Sequence, residues 1–387
     1  MGRSRSLGAH CLSGALAIAV AAFIPVAGHG ADLSAPEAFS LKDAPDDGYG
    51  VHGGGNNHST IPAGVSGAAM VGAGEGMLMY MPMYMSMQGT YAGTDKISTP
   101  AILATPHSGM GAYLSVVPNS MDVQMHMLGA EYGVTNYFNV MVMGNYVDKS
   151  MTMTSYAEPM GGNPAMGRTL LGAKTNETDG LADVTVSGLV RLYEDGVNHI
   201  HVNLGLSVPT GDITEQATMI SPMGMHMPMT MRAMYGMQIG TGTVDFLPGV
   251  TYTANKDLWS WGAAYRGRIA LDDNEQGYRW GDLHEVTGWL GYTFIPGVTA
   301  TARVAGSTQG KIEGSDPLIA GPMQGAVPGY YGGQRVDLFG GIEIAGHRFG
   351  LGDTRLAIEA GAPVYQDLNG PQLGQDWQLN ASLGVRF

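Results

Sequence analysis

The sequence predicts an all-β fold, a closed antiparallel transmembrane β-barrel of about 12 strands. Three observations carry this. Only 13 % of the 387 residues are charged and 60 are Gly, against averages of about 25 % and about 7 %. Hydrophobic residues reach 44 %, yet after residue 30 no apolar run could form a spanning helix, which needs about 20 residues. Beyond residue 76, apolar and polar residues alternate over segments of about 10 to 15 residues, the period of strands with two unlike faces. A sheet apolar outside and polar inside, closed so that no edge is left, accounts for all three.

The same composition excludes other classes. A net charge of -14 leaves no basic face to displace counterions, so nucleic acid is not an expected partner. The single Cys, Cys11, allows neither a disulfide scaffold nor a thiolate metal cluster. The G-x-S-x-G, H-E-x-x-H and P-loop signatures are absent, so no enzyme is expected. DDNEQG at 272–277 begins like a calcium loop, but its twelfth position is Leu283, where a bidentate Glu is required.

Residues 1–30 have a positive start (Arg3, Arg5), an apolar stretch over 12–26 and small residues at Ala27 and Gly30, the pattern of a signal peptide. Residues 31–76 are rich in Gly, Ala, Pro, Asn and Asp, include HGGGNNH at 52–58, and show neither strand nor helix period. They are expected to be a flexible, disordered periplasmic segment. The barrel itself spans 77–387, with strands at 77–89, 119–133, 136–148, 181–194, 198–209, 239–254, 258–271, 281–295, 298–312, 334–345, 354–364 and 376–387.

The last strand is the clearest. Trp377, Leu379, Ala381, Leu383, Val385 and Phe387 alternate with Gln378, Asn380, Ser382, Gly384 and Arg386. A terminal aromatic in phase with that alternation resembles the signal by which outer-membrane barrels are recognised for insertion, so the barrel-assembly machinery, through Phe387, is an expected partner beside outer-membrane lipid. Gaps are short after even strands and mostly long after odd ones. That asymmetry places both termini in the periplasm and the barrel in the outer membrane of a Gram-negative cell.

Several segments resemble the outer-membrane transporter family named for the meta-pathway of phenol degradation, in a methionine-rich subgroup. They are PAGVSGAAM (62–70), GLADVTVSGLVRLY (180–193), GLSVPTGD (205–212), GTGTVDFLPGVTY (240–252) and APVYQDLNGPQL (362–373). The resemblance implies an outer-membrane barrel and leaves the solute open. Some members of that subgroup carry His just before the first strand, where this chain has Ala68 and Ala69.

Methionine is the feature that the fold does not explain. Of 27 Met, all but Met1 and Met323 lie between Met70 and Met237. Met77, Met79, Met81, Met83, Met85 and Met87 form a stripe on one face of the first strand. Its other face carries Leu78, Tyr80, Pro82 and Tyr84, which suit lipid, so the stripe is expected to line the lumen; Pro82, lacking an amide donor, is a place for a bulge. A second cluster, Met223, Met225, His226, Met227, Met229 and Met231, continues to Met234 and Met237 in a long loop. Thioethers are soft donors that select Cu(I) or a similar ion, so both clusters are candidate ligands; no cofactor is required. The competing reading is a flexible apolar lining.

Phase also assigns the lumen. Met141, Met143, His126, His199, His201, Arg266, Arg268, Arg303, Arg335, Asp337, Glu343, Arg355, Glu359 and Arg386 are expected to face inward, with Met121, Met125 and Met127 toward lipid. Rows of inward charges pair and stiffen a barrel, or form a constriction that orders a polar solute. The expected function is a channel or transporter for a small solute, with Cu(I) bound on methionine. The alternative is a passive diffusion channel for small organic molecules, aromatic ones included, without metal binding.

Overall fold

The computed structural model describes residues 60–107, 113–222 and 228–387. The expected signal peptide, the HGGGNNH stretch, and Met223, Met225, His226 and Met227 lie outside them. The strands in chain order are β1 (Gly76–Gly93), β2 (Asp95–Ile97), β3 (Val116–Thr135), β4 (Phe138–Tyr156), β5 (Leu170–Leu181), β6 (Val184–Glu194) and β7 (Asn198–Val208). They continue as β8 (Gln216–Ile220), β9 (Pro228–Arg232), β10 (Asp245–Lys256), β11 (Trp259–Ala270), β12 (Tyr278–Arg279) and β13 (Leu283–Ile295). The last are β14 (Val298–Gln309), β15 (Glu313–Gly314), β16 (Gly333–Ala345) and β17 (Thr354–Arg386).

Eleven of these strands form an antiparallel ring, each paired with its neighbour and β17 closing onto β1. β17 has 33 residues, which fully extended would span about 110 Å at about 3.3 Å per residue. Yet the Arg386 N–H donates to the Asp353 carbonyl at 3.0 Å. Its first part pairs with β16 and its last part with β1, so the run doubles back and the chain crosses the wall twelve times. Two elements differ from expectation. Part of the 149–180 gap is a ribbon in which β5 pairs with the upper half of β4. The strand expected from 239 begins at Asp245, because the residues before it turn into the lumen.

One end carries the short turns together with Gly76 and Phe387, whose backbones exchange hydrogen bonds of 2.8 and 2.9 Å. In the turn after β6, the Asp195 carboxylate accepts the Val197 and Asn198 N–H groups at 3.0 and 2.7 Å. These bonds, with those from the Asn198 amide and the Tyr193 hydroxyl, hold its carboxyl well below the usual range. Around the wall Leu78, Leu128, Val186, Leu204, Leu338 and Ile358 are exposed. Tyr132, Tyr137, Tyr193, Tyr292, Phe294 and Phe387 ring the short-turn end, and Tyr84 stacks on Trp377 at 5.0 Å farther up. An apolar band edged by aromatic side chains is the outer surface of a membrane barrel.

The inside corrects the reading of residues 31–76 for the part described. Residues 60–75 are packed within the barrel, with Ile61, Ala63, Val65, Ala68, Met70 and Val71 buried. Ile61, Val65 and Ala68 pack with Ala264 and Trp289, and Met70 packs with Met81, Met141, Met143 and Leu189. A chain lodged in a lumen follows neither the strand nor the helix period, so periodicity could not separate it from a flexible tail.

Candidate functional site: the barrel lumen

The lumen has two parts. At the short-turn end it is filled by residues 60–75, a segment whose small side chains leave its backbone amides and carbonyls to be satisfied by the wall. The Trp289 indole N–H donates to the Thr60 carbonyl at 2.9 Å, and the Ile61 N–H donates to Glu343 at 2.9 Å. Arg355 pairs with Glu343 at 2.9 Å and also donates to the Ile61 carbonyl. The Gly64 N–H donates to Glu359 Oε1 at 3.0 Å. Glu359 is itself held by Arg303 at 2.5 and 3.2 Å and by the Asn380 amide at 2.8 Å. Arg303 lies 3.9 Å from the centre of the Phe339 ring. This two-toothed pair is buried on both sides, which suits Arg better than Lys.

The Gly67 carbonyl is the most heavily engaged point. It accepts from Arg266 at 3.1 Å and from the Asn203 amide at 3.3 Å, and His201 Nε2 donates to it at 3.0 Å. A carbonyl only accepts, so the His201 proton is on Nε2 and its Nδ1 accepts from His199 Nε2 at 2.8 Å. His199 Nδ1 in turn faces Glu194 at 3.4 Å. Gly67 has φ +58, and a Cβ there would meet the Asn203 amide at 2.9 Å, so only Gly fits. Farther along, Val71 donates to Glu131 at 3.3 Å and accepts from Asn139 at 3.1 Å.

Above this stopper is a cavity of about 560 Å3, within the range of small-molecule pockets, about 300–1,000 Å3. Met83, Met85, Met87, Met121, Met125 and Met151 form one wall, from β1, β3 and β4. Lys149 stands on the same wall, two positions before Met151 on β4, and Asp183, Asp245 and Arg268 lie on others. Loops at the long-loop end contribute Met234, Gln238, Trp280, Gln324 and Tyr331 to the lining. Lys149 fastens one of them, donating to the Gly236 and Gln238 carbonyls at 3.1 and 2.6 Å. Tyr235 meets Tyr278 and Tyr331 edge-on at 4.8 and 5.8 Å. Burial pushes the Tyr278 and Tyr331 phenols up, so both remain neutral at physiological pH.

No protein-family model and no curated protein matches the chain. Among solved structures, an outer-membrane channel from Pseudomonas putida F1 aligns with TM-score 0.51 and 11 % identity, over 86 % of this chain and 98 % of that one. The barrel has the fold of an outer-membrane channel. The P. putida toluene transporter TodX aligns at TM-score 0.40 and 10 % identity, over 81 % of this chain and 90 % of that one. The β domain of the Bordetella autotransporter BrkA aligns at 0.41 and 11 %, over 81 % and 99 %. Neither of these two adds to the fold assignment.

The expected lumen residues fall in three groups. His199, His201, Arg266, Arg303, Glu343, Arg355 and Glu359 are the cradle of the stopper, as their partners above show. Arg335 pairs with Asp337 at 2.8 Å, and Arg386 lies 4.0 Å from Glu75 and 3.6 Å from Asp353. Arg268, 4.0 Å from Asp245, belongs to the cavity. The charges therefore bind the chain's own backbone and one another more than they form a constriction.

The methionine stripe lies on the lumenal face but is divided. Met77, Met79 and Met81 line the space beside the stopper, and Met83, Met85 and Met87 line the cavity. The register between β1 and β3 runs through Pro82 without a shift, so no bulge turns the stripe to the other face. That register corrects two assignments on β3. Met121, Met125 and Met127 stand opposite Met87, Met83 and Met81, and directly opposed side chains share a face, so they point inward. His126, opposite Pro82, points outward, accepting from or donating to the Tyr80 hydroxyl at 2.7 Å and stacking on its ring. Apolar side chains do not mark the lipid face in a lumen lined by thioethers. Met229 is exposed on β9, and Met231 packs with the cluster containing Met219 and Met323.

Sequence reading missed the stopper residues Ile61, Gly64, Gly67 and Val71, and with them Glu131, Asn139, Trp289, Asn380 and Lys149. One signal was available: apolar residues recur at 61, 65, 68, 70 and 71 inside an otherwise Gly-rich stretch.

Proposed function

We propose that the protein is an outer-membrane channel for a small, largely apolar solute, stoppered at its periplasmic end by its own residues 60–75. The observation that carries this reading is the methionine-walled cavity inside a closed barrel with an apolar, aromatic-edged outer surface. Polarizable, flexible thioethers adapt to varied apolar shapes, which suits passage better than tight retention. No reaction is assigned to it. The short-turn end faces the periplasm, and Phe387, 74 % exposed beside β1, is free to be read by the assembly machinery. Uptake of benzyl alcohol into liposomes holding the full-length protein tests the reading, and a rate equal to protein-free liposomes overturns it.

A second reading, capture of a soft ion, keeps one observation. The terminal methyls of Met219, Met231 and Met323 lie 4.0, 3.5 and 3.2 Å from the point a Cβ on Gly321 would occupy. The methyls, not the sulfurs, meet at this point, so a shared Cu(I) requires these side chains to turn their soft sulfur donors toward one another. Titration with Cu(I) against a competing chelator, on the native chain and on Met231→Leu, decides it. Equal retention by the two removes this site.

A further inference from the structure

The cavity is not uniformly apolar, and its polar atoms are unequally satisfied. Lys149 has two of its three N–H groups on the Gly236 and Gln238 carbonyls. Asp183 accepts from the Gly211 and Thr241 N–H groups at 3.0 and 2.8 Å and from the Thr241 hydroxyl at 2.9 Å. Asp245 accepts from the Thr243 hydroxyl at 2.5 Å and faces Arg268. Two cations thus stand against two carboxylates, and the wall offers no surplus charge to an ionised solute.

Two amide oxygens are different. Gln324 is 2 % exposed, its Nε2 donates weakly to the Thr90 hydroxyl at 3.5 Å, and its Oε1 accepts nothing. On the wall strand β4, Asn145 donates to the Asp183 carbonyl at 3.3 Å while its buried Oδ1 also accepts nothing. Both side chains line the cavity. A buried acceptor without a donor is costly, so native structures fill it with a partner or leave it to a ligand. A purely hydrocarbon solute supplies no donor, and a carboxylate supplies only acceptors.

We propose that the cavity binds a small neutral amphiphile, its apolar body against the methionine wall and a hydroxyl-type donor on Gln324 or Asn145. A hydroxyl both donates and accepts, so it satisfies the amide oxygen and keeps its own lone pairs for a donor on the cavity wall. This deepens the channel reading and rests on it.

The test compares three ring compounds of similar size on the full-length protein in detergent: benzyl alcohol, toluene and benzoate. Quenching of Trp280, which lines the cavity, reports binding, with Trp280→Phe as the blank. Benzyl alcohol is expected to bind about tenfold more tightly than toluene, the worth of one hydrogen bond, and more tightly than benzoate. Gln324→Leu with Asn145→Leu is expected to abolish the preference over toluene while toluene binding persists, which also shows that the variant is folded. Toluene binding as tightly as the alcohol, benzoate binding best, or a preference that survives the double substitution overturns the proposal. Liposome uptake of the alcohol separates the two levels: flux without this selectivity sinks the amphiphile and keeps the channel, whereas absence of flux sinks the channel itself.

Discussion

The two halves of the lumen are built from opposite chemistry. The short-turn half holds ionised and amide side chains in fixed pairs, nearly all directed at sixteen residues of backbone between Thr60 and Glu75. The long-loop half holds thioethers around open volume. The difference follows from what each half contains. A buried Gly- and Ala-rich segment exposes peptide groups, and these need directional partners. An apolar solute needs area and adaptability, which Met provides with little directional demand. The inward charges of this barrel are therefore mainly structural, and the methionines are the surface left for a guest.

Removing the stopper should abolish the difference between the two halves. Deleting residues 60–75 is expected to raise single-channel conductance in planar bilayers several-fold, because the lower lumen loses its filling while the strand pairing is untouched. Unchanged conductance would place the barrier in the loops around Tyr235 and Tyr331. Gly64→Val probes the same point with one substitution. A Cβ at Gly64 would fall on the Glu359 carboxylate and the Arg303 guanidinium, so conductance is expected to move toward that of the deletion while the β-sheet circular dichroism stays unchanged.

A middle-sized effect concerns the cradle itself. Glu359→Leu leaves the Arg303 guanidinium, 4 % exposed, without its partner, a change that costs about 3–5 kcal/mol when a buried pair is broken on one side. Glu313→Gln removes a partner of Arg279 from an exposed pair at the long-loop end, where solvent screens the attraction and little stability is lost. Urea unfolding followed by Trp fluorescence should show a large drop in midpoint for the first and almost none for the second. Equal midpoints would mean that the lower lumen is wetter than its packing implies.

Part of this architecture is legible in the sequence. The barrel, the approximate places of its strands and the inward phase of Arg303, Glu343 and Glu359 follow from alternation, because each strand meets lipid on one side and lumen on the other. The role of those charges does not follow, since Glu343 and Glu359 hold the Ile61 and Gly64 N–H groups, 282 and 295 positions away, and Arg303 acts by holding Glu359. The inward orientation of Met121 and Met125 is illegible for a related reason. Alternation separates two faces without labelling them, and here the lumen carries the apolar set. Only their register against the β1 stripe, Met125 opposite Met83 and Met121 opposite Met87, supplies the label.

The smallest effect sharpens what methionine contributes in the upper half. Changing Met83, Met85 and Met87 together to Leu conserves volume, and each such exchange costs less than about 1.5 kcal/mol in a packed interior. Their burial is incomplete because they face the cavity, so the stability loss should lie at the low end. If thioethers act as a polarizable lining, benzyl alcohol uptake should fall by no more than about threefold, the worth of a weak sulfur–ring contact near 0.5 kcal/mol. A loss of flux beyond about tenfold, with unfolding unchanged, would instead make the sulfurs specific ligands of the solute. The division between a directional lower half and an adaptable upper half would then have to be abandoned, since both halves would recognise what they hold atom by atom.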